Sequence, residues 1–248
     1  MVVMNYSFEA KMFRQMLDMA VSEGVDTSPL AQDPENSPVR LIDAMVQAID
    51  VMERAEADIA SDGDIGEKDI TEIGDYVMTL IEGLLGHAQT GTDNRSMTQV
   101  RALTRLTMPV AMWVARCGGR LDKLDLVVNA IADYANELRQ PEKLAELTAA
   151  VALILEAVSS TVQQDLEQTN AMRPWRILNL NYCIIATRSH DPKLIETAYD
   201  VLVENLPQDA RSFFKEGLQQ MDAIGYPESV REVLERYDNM WGAESTLH

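Results

Sequence analysis

An all-α fold of about ten helices is what this sequence predicts, and three observations carry the expectation. Apolar residues recur at steps of three and four through most of the chain, the period of one helix face. The 12 glycines and 9 prolines among 248 residues are too few for a many-turned all-β chain. The prolines also fall where helices should start. Ser37–Pro38, Gln140–Pro141, Arg173–Pro174, Asp191–Pro192, Leu206–Pro207 and Tyr226–Pro227 each read as a flanking residue followed by the first helical position.

Taken in order, Ser7 is the expected cap of a first helix with Phe8, Met12, Met16 and Met19 on one stripe, widened by Phe13, Leu17 and Ala20. Gly24 ends it, and a polar connector with Pro29 and Pro34 follows. From Pro38 to about Ala60 the apolar positions are Leu41, Ile42, Met45, Ile49 and Met52. After the break Ser61–Gly66, periodicity resumes from Lys68 to Ala88, so these two segments form a hairpin. It is strongly anionic: eleven acids from Asp50 to Glu82 face only Arg54 and Lys68.

Gln89–Arg95 reads as a loop and Ser96 as the cap of a helix reaching Val114. Pro109 should kink that helix, because proline lacks an N–H and crowds the preceding turn. Gly118 and Gly119 suit a left-handed C-cap. A helix over Leu121–Arg139 comes next, then the longest of all, from Pro141 to about Gln168, with Leu144, Leu147, Val151, Ile154, Val158 and Val162 in one stripe. The run Arg173–Pro192 is apolar on nearly every side and reads as an interior helix. Three proline-led helices complete the chain to Gly242, before a frayed tail over 243–248. The expected organisation is an N-terminal helical region over 1–95 and a helical-hairpin array over 96–242. Asn129–Val151 and Asn181–Leu202 share a plan of helix, proline-marked joint and helix, which suggests stacked hairpins, α-solenoid-like or an irregular bundle.

Forty acids against 21 bases give a formal charge of −19, which repels nucleic-acid phosphates and anionic lipids. The exception is Arg95–Lys123, where six bases accompany one acid, Asp122, and the acidic hairpin is the nearest candidate partner. Cys117 and Cys183 lack metal-ligand spacing and suit free thiols in a reducing compartment. No long apolar run or signal-like N-terminus appears, so no membrane association is expected and the cytoplasm is the default.

No motif for catalysis, metal or cofactor survives testing, and no cofactor is expected. His190–Asp191 resembles the His-Asp pair of HD-type metal-dependent phosphohydrolases. The upstream ligand would be His87, 103 residues away, whereas Asp191 as N-cap and Pro192 at N1 explain the pair structurally. Asp62–Gly66 starts like a calcium loop but places Glu67 where the turn glycine belongs. P-loop, dinucleotide and nucleophile-elbow patterns are missing from the sequence.

The candidate binding residues are therefore non-catalytic. Arg101 and Arg105, one turn apart, suit an acidic peptide or phosphate. Arg173, Trp175, Arg176, Asn179, Asn181 and Tyr182 form the second set. Asn179 and Asn181 are separated by about 200° around a helix, so in a central helix at least one amide needs a partner inside. A tie to a neighbouring helix backbone is the expected solution. The functional expectation is a scaffold or adaptor for a protein or peptide, with the Met-lined first helix as a candidate homodimer face. The alternative is a small-molecule binder or enzyme with a polar pocket around Asn179 and Asn181.

Overall fold

A computed structural model of the chain describes residues 8–22, 37–89, 94–166 and 168–242. Among them lie twelve helices: α1 (Ala10–Ser22), α2 (Pro38–Ala60), α3 (Glu67–Ala88), α4 (Asn94–Arg105), α5 (Thr107–Arg116), α6 (Asp125–Glu137), α7 (Pro141–Ala157), α8 (Ser160–Gln163), α9 (Pro174–Arg188), α10 (Pro192–Asn205), α11 (Pro207–Ile224) and α12 (Glu228–Gly242). The fold is all-α, as the periodicity predicts. The cap at Ser7, the connector with Pro29 and Pro34, and the tail lie outside the described residues.

The described chain packs as two compact units. One holds the residues up to Asp133 with Glu156–Thr161, the other Tyr134–Leu155 and the residues from Val162 onward. α4 and α5 both pack on α3 and belong to the first unit.

In the first unit α2 and α3 form the expected hairpin. Met45, Ile49 and Met52 of α2 and Ile70, Val77, Ile81 and Leu84 of α3 are buried in its core, with Leu103 and Trp113. The stripe that α1 buries is Ala10, Phe13, Leu17 and Ala20, while Met19 is 65% exposed. Arg14 fixes the helix by donating to Asp50 at 2.5 Å and Glu53 at 2.8 Å.

The single helix expected from Ser96 to Val114 is two. Pro109 has no N–H to donate to the Arg105 carbonyl four residues back, and the ladder breaks at Leu106, between α4 and α5. Ser96 lies inside α4 rather than capping it. Gly118 has φ +79°, the left-handed conformation expected of it. At Gly119 a side chain would meet Ile70 Cγ2 at 2.6 Å.

The helix expected to be the longest stops at Ala157, and α2 with 23 residues is longer than its 17. The cause is a parallel bridge between Leu121 and Val158. Leu121 N donates to the Ala157 carbonyl at 2.9 Å and Ser159 N to the Leu121 carbonyl at 3.0 Å, so this backbone is used laterally instead of along a helix.

In the second unit α9 pairs with α10, and α10, α11 and α12 pack on one another. Tyr199, Phe214 and Tyr237 form its centre, with ring centroids 5.0 to 5.4 Å apart. Arg188 at the end of α9 donates to the Ala135 and Leu138 carbonyls, both at 2.9 Å, and so satisfies the C-terminal turn of α6.

Candidate functional site

Four bases of the basic segment divide between two partners. Arg120 donates to Glu67 at 3.1 Å, and Lys123 lies 3.8 Å from Glu82, so this part does pair with the acidic hairpin. Arg101 and Arg105 instead converge on Asp133 of α6, Arg101 through Nε at 2.5 Å. Asp133 is only 23% exposed, and the two guanidiniums hold it as a fork from one helix turn.

The α9 set is likewise drawn into the unit. Arg173, at the N-cap of α9, donates from Nε and Nη2 to Asp165 at 2.5 and 2.9 Å, from Nη1 to the Gln168 and Asn170 carbonyls, and from Nη2 to Asp209 at 3.3 Å. Arg176 donates to Asp209 at 2.7 Å and to the Ala171 carbonyl. Asp209 is thus shared between the two guanidiniums. The Asp165 carboxylate, more than its own burial opposes, raises the Arg173 guanidinium above its ordinary value.

Asn179 is fully buried and tied at both ends of its amide. Its Nδ2 donates to the Trp175 carbonyl at 2.9 Å, and its Oδ1 accepts from Asn205 Nδ2 at 2.8 Å. The expected tie to a neighbouring helix exists, but through the side chain of Asn205 at the end of α10 rather than its backbone. Asn181 Nδ2 and Trp175 Nε1 are buried without a hydrogen-bond partner among the described residues. Tyr182 is buried.

His190 and Asp191 form a joint between helices. His190 has φ +59°, a left-handed residue just past α9, and the Asp191 carboxylate accepts from Lys193 N at 2.9 Å and Leu194 N at 3.4 Å. Burial raises the Cys183 thiol well above its ordinary value and pushes Cys117 up to about 11, with Glu56 adding and Arg116 opposing. Neither thiol is poised as a nucleophile. Among the described residues no group of three or more His, Cys, Asp or Glu is placed to hold a metal ion, and no helix is long and apolar enough to cross a membrane.

Two concavities involve residues that were not singled out from the sequence. On the first unit a groove of about 420 Å³ runs between α2 and α3. Its floor is Ala44, Ala48, Val51, Ile73 and Tyr76, and its charged lining residues are Asp69 and Glu72. Tyr76 is 53% exposed and Val51 and Ile73 are half-buried, an unusual surface for a hairpin whose opposite face forms the core.

In the second unit a cavity of about 210 Å³ is bounded by Leu180, Ile184 and Thr187 of α9, Tyr199 of α10, Phe213, Glu216, Gly217, Gln220 and Met221 of α11, then Tyr226 and Leu234. A signal for it exists in the sequence. Positions 180, 184 and 187, and positions 213, 217 and 220, each repeat at helical spacing, so each set occupies one face. The α9 residues Asn179 and Asn181 are not part of its lining.

The Tyr199 hydroxyl shares a 2.8 Å hydrogen bond with Thr187, which itself bonds the Cys183 carbonyl at 2.8 Å. Burial raises the Tyr199 phenol well above its ordinary value. At Gly217 the helices approach closely, since a Cβ there would lie 3.1 Å from Leu234 Cδ2. Compared with family models, curated proteins and solved structures, the chain matches none of them.

Proposed function

We propose that this chain is a non-catalytic protein-binding module, and that the α2–α3 groove takes a basic, amphipathic segment of its partner. The observation that carries the reading is the groove's composition: mostly apolar lining residues, exposed Tyr76 among them, beside the carboxylates Asp69 and Glu72 and no lysine or arginine. Around it the hairpin is acidic. Asp43, Asp50, Glu53, Glu56 and Asp58 of α2 and Glu67, Asp69, Glu72, Asp75 and Glu82 of α3 accompany only Arg40, Arg54 and Lys68. Arg54 Nε is engaged by the Asp50 carbonyl, and Lys68 lies 3.6 Å from Glu72. An amphipathic helix laid in such a groove buries its apolar side on the floor and sets its cations against the rim.

Selection from a displayed library of helical peptides tests this. Enriched peptides should carry apolar residues at steps of three and four with lysine or arginine beside them. Their binding should weaken with added salt and fall by about tenfold or more in Tyr76→Ala, the size expected for an interface aromatic. A selection that enriches nothing, enriches acidic sequences, or yields binders indifferent to Tyr76→Ala and to Asp69→Asn with Glu72→Gln overturns the reading.

A further inference from the structure

We propose that the cavity bounded by α9, α10, α11 and α12 binds a small organic cation, an alkylated ammonium with a compact apolar body. The site is separate from the α2–α3 groove, and the inference does not depend on the partner-binding reading.

Three aromatic side chains, Tyr199, Phe213 and Tyr226, line this space of about 210 Å³. Tyr199 and Phe213 meet at 77° with centroids 5.8 Å apart, so the two rings form a corner. Tyr226 is steadied from outside by His190, edge-on at 5.5 Å. Leu180, Ile184, Met221 and Leu234 supply the remaining apolar wall, and Ile184 stays 45% exposed, an apolar side chain left open at a cavity edge.

Glu216 is the lining residue that carries a formal charge, and no lysine or arginine lines the cavity. Arg188 acts electrostatically on Tyr226, yet both its terminal nitrogens already donate to the Ala135 and Leu138 carbonyls. Aromatic walls attract a cation through the negative potential of their faces, and a carboxylate at the rim adds a fixed opposite charge. An anion would meet Glu216 and aromatic rings with no donor of positive charge. A neutral ligand would gain the apolar contacts but nothing from the carboxylate. The volume suits a ligand about the size of choline, well below drug-sized sites.

Choline and its neutral isostere 3,3-dimethylbutan-1-ol are the probes, titrated into the full chain labelled with 13C at the methionine methyls, with the Met221 signal assigned from Met221→Leu. Choline should displace the Met221 methyl saturably and bind about tenfold more tightly than the alcohol, the factor expected for a desolvated cation on aromatic rings. Glu216 is exposed, so Glu216→Gln preserves the fold and should weaken choline several-fold while leaving the alcohol unchanged. Phe213→Leu, which keeps apolar volume but removes a ring, should also weaken choline selectively. Equal affinity for the two probes, an unmoved Met221 methyl throughout the choline titration, or choline affinity unchanged in Glu216→Gln overturns the proposal.

Discussion

Asp165 and Arg173 form a two-point ion pair that is almost wholly enclosed, with side-chain exposures of 7% and 5% and donor distances of 2.5 and 2.9 Å. Asp165 sits at φ +49°, so asparagine is the substitution that keeps its backbone at ease. Breaking such a pair leaves one charge buried and costs about 3–5 kcal/mol. Arg173 retains Asp209 when Asp165 is lost, whereas Arg173→Met strips Asp165 of both hydrogen bonds. Asp165→Asn should therefore destabilise by about 3 kcal/mol and Arg173→Met by more, with the double variant well short of the sum. Urea unfolding of the three variants checks the order; additive losses would count against coupling.

At the joint between α9 and α10, Asp191→Ala removes the acceptor for Lys193 N and Leu194 N and should cost about 1 kcal/mol, while Asp191→Asn should be near neutral. Both are read from denaturation midpoints. A role of the His190–Asp191 pair in metal binding predicts instead that added divalent cations stabilise the wild type more than the asparagine variant.

Gly74 lies where α3 meets α5. A Cβ there would fall 2.3 Å from Val114 Cγ2, and Val114 is buried and β-branched, unable to swing aside. Alanine improves helix propensity by about 1 kcal/mol over glycine, but overpacking in a filled core costs about 1–3 kcal/mol. Gly74→Ala is expected to lower the melting temperature; a rise would mean that α5 yields easily.

Asp75 gives a pH-dependent test. Burial first, then Asp122, holds its carboxyl above the ordinary value against the pull of Lys123, with Glu82 adding to the rise. The folded state thus binds this proton more tightly than the unfolded chain does. Its contribution is intact below the unfolded pKa and is lost as pH rises through the folded value. Asp75→Asn carries no ionisable group, so its melting temperature should gain on the wild type between about pH 3 and pH 7. An equal difference at both pH values would show that Asp75 is not strained by its surroundings.

Much of the fold was legible because helix signals are local. Pro38, Pro141, Pro174, Pro192 and Pro207 each open a helix as expected, and Gly118 takes the left-handed conformation. What misled was tertiary. Nothing local in Val158–Ser159 announces that Leu121 takes its backbone hydrogen bonds, so the apolar stripe predicts a helix that runs past Ala157. The Met12, Met16 and Met19 stripe is as periodic as Phe13, Leu17 and Ala20, and only packing against α2 and α4 decides which is buried. The cavity of the second unit was missed for the opposite reason. Its lining residues are mostly ordinary apolar and aromatic positions, and it exists only because the four helices α9 to α12 leave a space between them.

The Leu121–Val158 bridge also constrains where this chain can be divided in the laboratory. It joins residues 37 positions apart within the first unit, and the intervening segment from Tyr134 to Leu155 is counted with the second. A fragment ending at Asp133 loses the strand-like partner of Leu121, and one starting at Tyr134 carries it as an orphan with its Ala157 carbonyl and Ser159 amide unanswered. No single scission yields both halves intact. Expression as two pieces calls for a graft that keeps Glu156–Thr161 with the first product.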